Sequence, residues 1–96
     1  MKVLGKNIIN NFKDTHASSR KALDRWVRLM ESTDFKNTHD LKQLFGGNIY
    51  FVKDQTVFDV GGNKIRAITR IQFGLSIILV THVLTHSEYD ANKWKD

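Results

Sequence analysis

The hydrophobic pattern of the chain changes its period at Gly46 and Gly47, and this change limits the available folds. Before the glycine pair, apolar residues recur every three or four positions, which is the spacing of one helix face. After it, segments such as NIYFVKD and TVFDV are rich in β-branched and aromatic residues, as strands are. Helices followed by hairpin-linked strands predict an α+β fold, with the N-terminal helices packed on one face of an antiparallel sheet. We expect one domain over residues 1–96.

Three helices are predicted in the first half of the chain. The first places Leu4, Ile8 and Phe12 on one face, and the second runs from Ser18 to about Met30. A third begins at Thr38 and ends at the glycine pair, because glycine accepts the left-handed conformation at a helix C-terminus.

Four strands are predicted in the second half, separated by turn signals. The dipeptide DQ, the tripeptide GGN at 61–63 and the segment FGLS mark the turns. The last strand, IILVTHVLTH, leads into a short helix with capping-box spacing from Ser87 to Asp90. The longest apolar run, LSIILV, is far too short to span a bilayer, and asparagines interrupt the N-terminal apolar residues, so we expect a cytoplasmic protein.

The charge of the chain favours an anionic partner such as nucleic acid, an acidic protein or a membrane surface. The net charge is +5, and no Asp or Glu occurs from Val60 to His86. Strand alternation places Lys64, Arg66 and Arg70 on the face away from the helices, while the alternate residues from Ile65 to Ile71 face them. Such guanidinium groups can hold phosphate oxygens, although a solvated basic sheet face is the other interpretation.

Two of the four histidines, His82 and His86, lie four residues apart. A zinc pair would lack a clear third ligand, and the chain has no cysteine, so we expect no metal and no cofactor. At the strand centre, His82 is predicted to be structural. His86, at the strand end near Tyr89, belongs with the arginines to a set suited to phosphodiester chemistry.

Two long motifs resemble the HigB family of bacterial type II toxins, within the RelE-like ribosome-dependent mRNA endoribonucleases. They are VFDVGGNKIRAITRIQF, residues 57–73, and VLTHSEYDANKW, residues 83–94. The paired GGN-K-x-R and TH-x-EYD patterns carry the resemblance, and LDRW and LKQLF also resemble the family's N-terminal half. Many members have proline directly after the first histidine, His16, where this chain has Ala17.

The resemblance implies metal-independent cleavage of mRNA on the ribosome, by attack of the ribose 2′-hydroxyl on the adjacent phosphorus. RelE-like enzymes often lack a conventional histidine pair and depend on basic residues and the ribosome to arrange the substrate. The implied partners are a HigA-like helix-turn-helix antitoxin and, through the toxin–antitoxin complex, operator DNA. The implied catalytic residues are Arg66, Arg70, His86 and Tyr89, and the residues assigned to RNA binding are Lys53, Asn63 and Lys64. A noncatalytic basic nucleic-acid-binding module and an inactive toxin relative retained for antitoxin binding are the alternatives.

Overall fold

The computed structural model describes residues 1–62 and 64–91. The strands in this part of the chain are β1 (Lys2–Leu4), β2 (Ile49–Val52), β3 (Gln55–Val60), β4 (Ile65–Gln72) and β5 (Ile77–Thr85). The α-helices are α1 (Lys6–Thr15), α2 (Arg20–Ser32), α3 (Thr38–Phe45) and α4 (His86–Asp90). Short 3-10 turns at 17–19, 46–48 and 73–75 connect them. None of the helices within the described ranges has the length and apolarity needed to cross a membrane.

The five strands form one sheet in the order β1-β5-β4-β3-β2. Neighbours are antiparallel except β1, which runs parallel to β5. The α+β fold predicted from the sequence is confirmed, but Leu4 lies in β1 and not on the first helix. Gly5, at φ 87°, turns the chain from β1 into α1, and a Cβ there would meet the Val80 carbonyl oxygen at 2.4 Å. A side chain is therefore excluded at this turn.

The main core lies between the helices and one face of the sheet. Helix α1 buries Ile9 and Phe12, and α2 buries Leu23, Trp26 and Met30. The sheet residues of this core are Val3, Ile49, Phe58, Val60, Ile65, Ala67, Ile78, Val80 and Val83. The predicted helix-facing side of β4 is thus confirmed at Ile65 and Ala67.

The opposite face of the sheet carries a smaller apolar cluster. Val57 and Ile68 are fully buried there, with Val52, Leu84 and Tyr89 packed around them. Because α4 follows β5 directly, it brings the Tyr89 ring against this face. The expectation of an uncovered row of cations is therefore wrong for the middle of β4.

Local turns differ from the sequence prediction in two places. The β2–β3 turn is formed by Lys53 and Asp54, not by the dipeptide DQ, since Gln55 already belongs to β3. Helix α4 is capped by Thr85, whose side chain accepts from the backbone N–H of Glu88 while Glu88 accepts from Thr85. The predicted Ser87–Asp90 capping box is wrong, and the true cap places His86 in the first turn of α4.

Candidate active site

Arg66 lies at the centre of a polar cluster on the face away from α1 and α2. It pairs across the sheet with Asp59 of β3. Its Nε atom is 2.9 Å from Asp59 Oδ1, and both side chains are 5% exposed. The contact is an ion pair rather than a well-aligned hydrogen bond. The expectation of an exposed Arg66 guanidinium is therefore wrong, because Tyr89 and the strand partners enclose it.

Tyr50, on the edge strand β2, also contacts the Asp59 carboxylate. Its hydroxyl donates to Asp59 Oδ2 at 3.0 Å. This hydrogen bond raises the pKa of Tyr50, because ionisation would break the bond and place two negative charges together. The carboxylate is thus held on one oxygen by a phenol and on the other by a guanidinium.

His86 receives the other end of the Arg66 guanidinium. Arg66 Nη2 lies 3.0 Å from His86 Nδ1, and His86 Nε2 lies 3.1 Å from Asp90 Oδ2. Since arginine has donors only, Nδ1 must accept, and the ring proton must be on Nε2. His86 therefore presents an N–H donor on its solvent side, where its side chain is half exposed.

Tyr89 covers the guanidinium group. The Arg66 Cζ atom is 5.4 Å from the centroid of the Tyr89 ring, within the range of a cation–π contact. Burial raises the pKa of Tyr89 above its ordinary value. The phenol consequently stays protonated at neutral pH and can serve as a hydrogen-bond donor rather than as a base.

Arg70 belongs to a separate, exposed group of charges. Its Nη1 atom is 2.7 Å from Asp54 Oδ2 in the β2–β3 turn, which also carries exposed Lys53. Four residues along a strand span about 13 Å, so Arg70 lies well away from Arg66 along the sheet. The structure thus brings Arg66, His86 and Tyr89 together and leaves Arg70 and Lys53 at the other end of the face.

The loop between β3 and β4 contacts the polar cluster through the backbone of His86. The Lys64 carbonyl accepts from the backbone N–H of His86 at 3.2 Å, and the Lys64 side chain is exposed. Asn63, predicted to bind RNA, lies outside the described residues. A cleft of about 210 Å³ adjoins this loop and contains His16, whose ring stacks on Phe12 with centroids 4.0 Å apart.

His82 lies on the same face as Arg66 but in the middle of β5. It is half-buried opposite Ile68, and its Nδ1 atom is 3.1 Å from Thr81 Oγ1. The predicted common strand face of His82 and His86 is wrong, because His86 belongs to α4. In residues 1–62 and 64–91, no group of three His, Cys, Asp or Glu side chains is placed to hold a metal ion.

Sequence reasoning missed Asp59 and Tyr50 as members of the cluster. A signal for Asp59 was present: a single carboxylate lies inside the apolar strand VFDV, close to an arginine in the next strand. Buried carboxylates need a charged or hydrogen-bonding partner, so this position predicts one. Tyr50 gave no comparable signal, since exposed tyrosines are common on edge strands.

We expect both tyrosines of the chain to ionise at higher pH than tyrosine in a peptide, because the pKa of each is raised. The Tyr50 hydrogen bond stabilises the fold below the ordinary tyrosine pKa of about 10 and is lost as pH rises through the higher folded-state pKa. Asp59→Asn should shift the Tyr50 titration back toward about pH 10. Ultraviolet absorbance of the phenolate measures both, and Tyr50→Phe identifies the Tyr89 signal. Wild-type titrations with midpoints at or below about pH 10 would contradict this expectation.

Comparison with known proteins finds one family and several named relatives. The model of the HigB_toxin family, described as the RelE-like toxic component of a toxin-antitoxin system, matches residues 19–92. The chain is 28% identical over 92 residues to the mRNA interferase HigB of Escherichia coli O6:H1 (strain CFT073), covering 94% of this chain and 89% of that protein. It is 34% identical over 58 residues to the mRNA interferase toxin HigB of Escherichia coli (strain K12), covering 58% of this chain and 56% of that protein. The mRNA interferase HigB of Shigella flexneri has the same identity and coverage.

Proposed function

Because the chain belongs to the HigB family of RelE-like toxins, we propose that it is an mRNA endoribonuclease that acts on translating ribosomes. The family match over residues 19–92 carries the proposal. The cluster of Arg66, His86 and Tyr89 supports it with hydrogen-bonding and cationic groups suited to a phosphodiester.

The proposed reaction is transesterification within the RNA strand. The ribose 2′-oxygen forms a bond to the adjacent phosphorus and loses its proton, while the bond from phosphorus to the 5′-oxygen breaks. The 5′-oxygen takes up a proton, so the products are a 2′,3′-cyclic phosphate and a free 5′-hydroxyl. No metal enters these steps.

His86 and Tyr89 act in this reaction as donors to the phosphate. With RNA bound, the Nε2–H group of His86 donates to a phosphate oxygen in place of Asp90 and stabilises the negative charge that develops there. Tyr89, with its raised pKa, contributes a protonated phenol. Arg66 is occupied by Asp59 and His86, so its main contribution is to orient His86 and to place positive charge beneath the site.

The exposed cations hold the flanking RNA. Lys64 lies beside His86 through its backbone, and Lys53 and Arg70 lie at the far end of the same face. We include Asn63 as a further RNA contact from its position in the family motif. These few cations give sequence-independent attraction to phosphates, which fits a nuclease whose substrate is arranged by the ribosome.

A toxin of this family acts with an antitoxin. We propose a HigA-like helix-turn-helix antitoxin as the partner, with operator DNA bound through the complex. Translating ribosomes are the proposed site of action, which places the toxin in the cytoplasm.

We expect induction of the protein without its antitoxin to arrest growth, and purified protein to cut mRNA only during translation. The physical reason is that the small cationic surface cannot by itself align a flexible strand for in-line attack. A reconstituted translation reaction compared with the same mRNA free of ribosomes, at equal protein concentration, tests this. Fragment 5′ ends should accept phosphate from a polynucleotide kinase without prior phosphatase treatment.

Two outcomes would contradict the proposal. Efficient cutting of ribosome-free mRNA would remove the dependence on the ribosome. Fragments with 5′-phosphate ends would reject attack by the 2′-hydroxyl. Ribosomes incubated without the protein provide the control for adventitious nucleases.

A further inference from the structure

A continuous series of polar contacts runs from the edge of the sheet to the candidate active site. It begins at the Tyr50 hydroxyl, passes through the Asp59 carboxylate and the Arg66 guanidinium, and ends at the ring of His86. The middle pair is buried, whereas Tyr50 and His86 at the two ends are exposed. The buried part is therefore fixed by its surroundings and can set the position of an exposed ring.

The direction of each contact determines what the series does. Tyr50 donates to one oxygen of Asp59, and Arg66 is drawn to the other. This holds the guanidinium so that Nη2 meets His86 Nδ1 at 3.0 Å. Without the carboxylate, we expect the guanidinium to move toward solvent, because a buried cation needs a countercharge.

We propose that Asp59 is a positioning residue that acts through Arg66 to fix the ring orientation of His86, with the ring proton on Nε2. The N–H group of the imidazole then points to the side where Asp90 now accepts and where a substrate phosphate would lie. The same logic applies to histidines whose second nitrogen is held by an orienting partner. The catalytic meaning of this inference rests on the proposed function, but the ring geometry does not.

Nitrogen-15 NMR of histidine-labelled, RNA-free protein tests the geometry directly. We expect His86 to show an unprotonated, hydrogen-bonded Nδ1 and a protonated Nε2 in the wild type. Asp59→Asn should move the Nδ1 signal and mix the two ring-proton positions. His39, exposed on α3, is the internal reference, and Asp24→Asn on α2 is the matched control, since it makes the same chemical change at an ion pair with Lys13.

Single-turnover cleavage on ribosomes tests the consequence. Asp59→Asn should reduce the rate about 10–100-fold, by analogy with orienting partners of metal-bound histidines, without changing the ribosome concentration at half saturation. Asp59→Glu, which keeps the carboxylate, should recover part of the rate and the wild-type ring signals. If Asp59→Asn fails to fold, Tyr50→Phe replaces it, with smaller changes in the same directions.

The two proposals fail in different ways. A wild-type His86 with its proton on Nδ1 overturns the positioning role, as does a folded Asp59→Asn protein with unchanged ring signals and unchanged rate. Wild-type protein that shows the expected ring signals, changed by Asp59→Asn, but that cuts no mRNA would overturn the proposed function and leave the positioning role standing.

Discussion

Replacing Arg66 by alanine should lower the free energy of unfolding by about 3–5 kcal/mol, the usual cost of removing one partner from a buried ion pair. The Asp59 carboxylate would stay buried with the Tyr50 hydrogen bond but without its countercharge. Urea denaturation of the folded protein measures the change. Total stabilities of about 5–15 kcal/mol make this a large fraction, so cells should also contain less of the variant.

Arg70→Ala is the matched control for this experiment. Arg70 belongs to the same strand, but both side chains of its ion pair with Asp54 are exposed to solvent. Exposed pairs contribute about 0–1 kcal/mol, so this variant should keep nearly full stability. Equal stability losses in the two variants would contradict the distinction between a buried and an exposed arginine.

A double substitution separates the structural from the functional role of the buried pair. Asp59→Leu combined with Arg66→Met replaces both charges by apolar side chains, an exchange that is often neutral or stabilising. We expect this variant to regain stability and to remain deficient in cleavage, because His86 has lost its partner. Recovery of both properties would show that the pair serves folding alone.

The elements that the sequence predicted well are those whose pattern is local. Helix α3 ends at Phe45, directly before the glycine pair that predicted its end, and the alternation in β4 correctly turned Ala67 toward the helices. Strand β1 could not be predicted in this way, because three residues carry too little periodicity and its parallel pairing with β5 is a tertiary contact.

The candidate site shows the same division between local and tertiary information. Alternation placed Arg66 on the correct face, but its burial depends on Tyr89, which returns to that face only through the capped turn at Thr85. The partner of Arg66 could in principle have been predicted from the sequence. A hairpin that pairs Val60 with Ile65 also pairs Asp59 with Arg66, so the register follows once the loop length is known.

His86→Gln should reduce mRNA cleavage by about 10²–10⁴, the range for loss of a positioned side chain that takes part in proton transfer or charge stabilisation. The ring is half exposed and lies in the first turn of α4, so its replacement should change the melting temperature little. Glutamine retains an amide donor but cannot reproduce the geometry in which one ring nitrogen accepts from Arg66 and the other donates outward. Single-turnover cleavage on ribosomes measures the rate, and thermal denaturation measures the stability.

His82→Gln is the matched control, because it makes the same change on the same side of the sheet. His82 is half-buried opposite Ile68 and its ring contacts the Thr81 hydroxyl, so the substitution should mainly alter stability. A chelator should leave the cleavage rate of both proteins unchanged when ribosome integrity is controlled separately. Equal rate losses from the two substitutions, together with chelator-sensitive cutting restored by zinc, would contradict the hydrogen-bonding role of His86. They would indicate instead that His82 and His86 bind a metal ion. The geometry of His86 argues against that result, because Nδ1 already accepts from Arg66 and the ring proton then lies on Nε2, so neither nitrogen offers a lone pair to a metal.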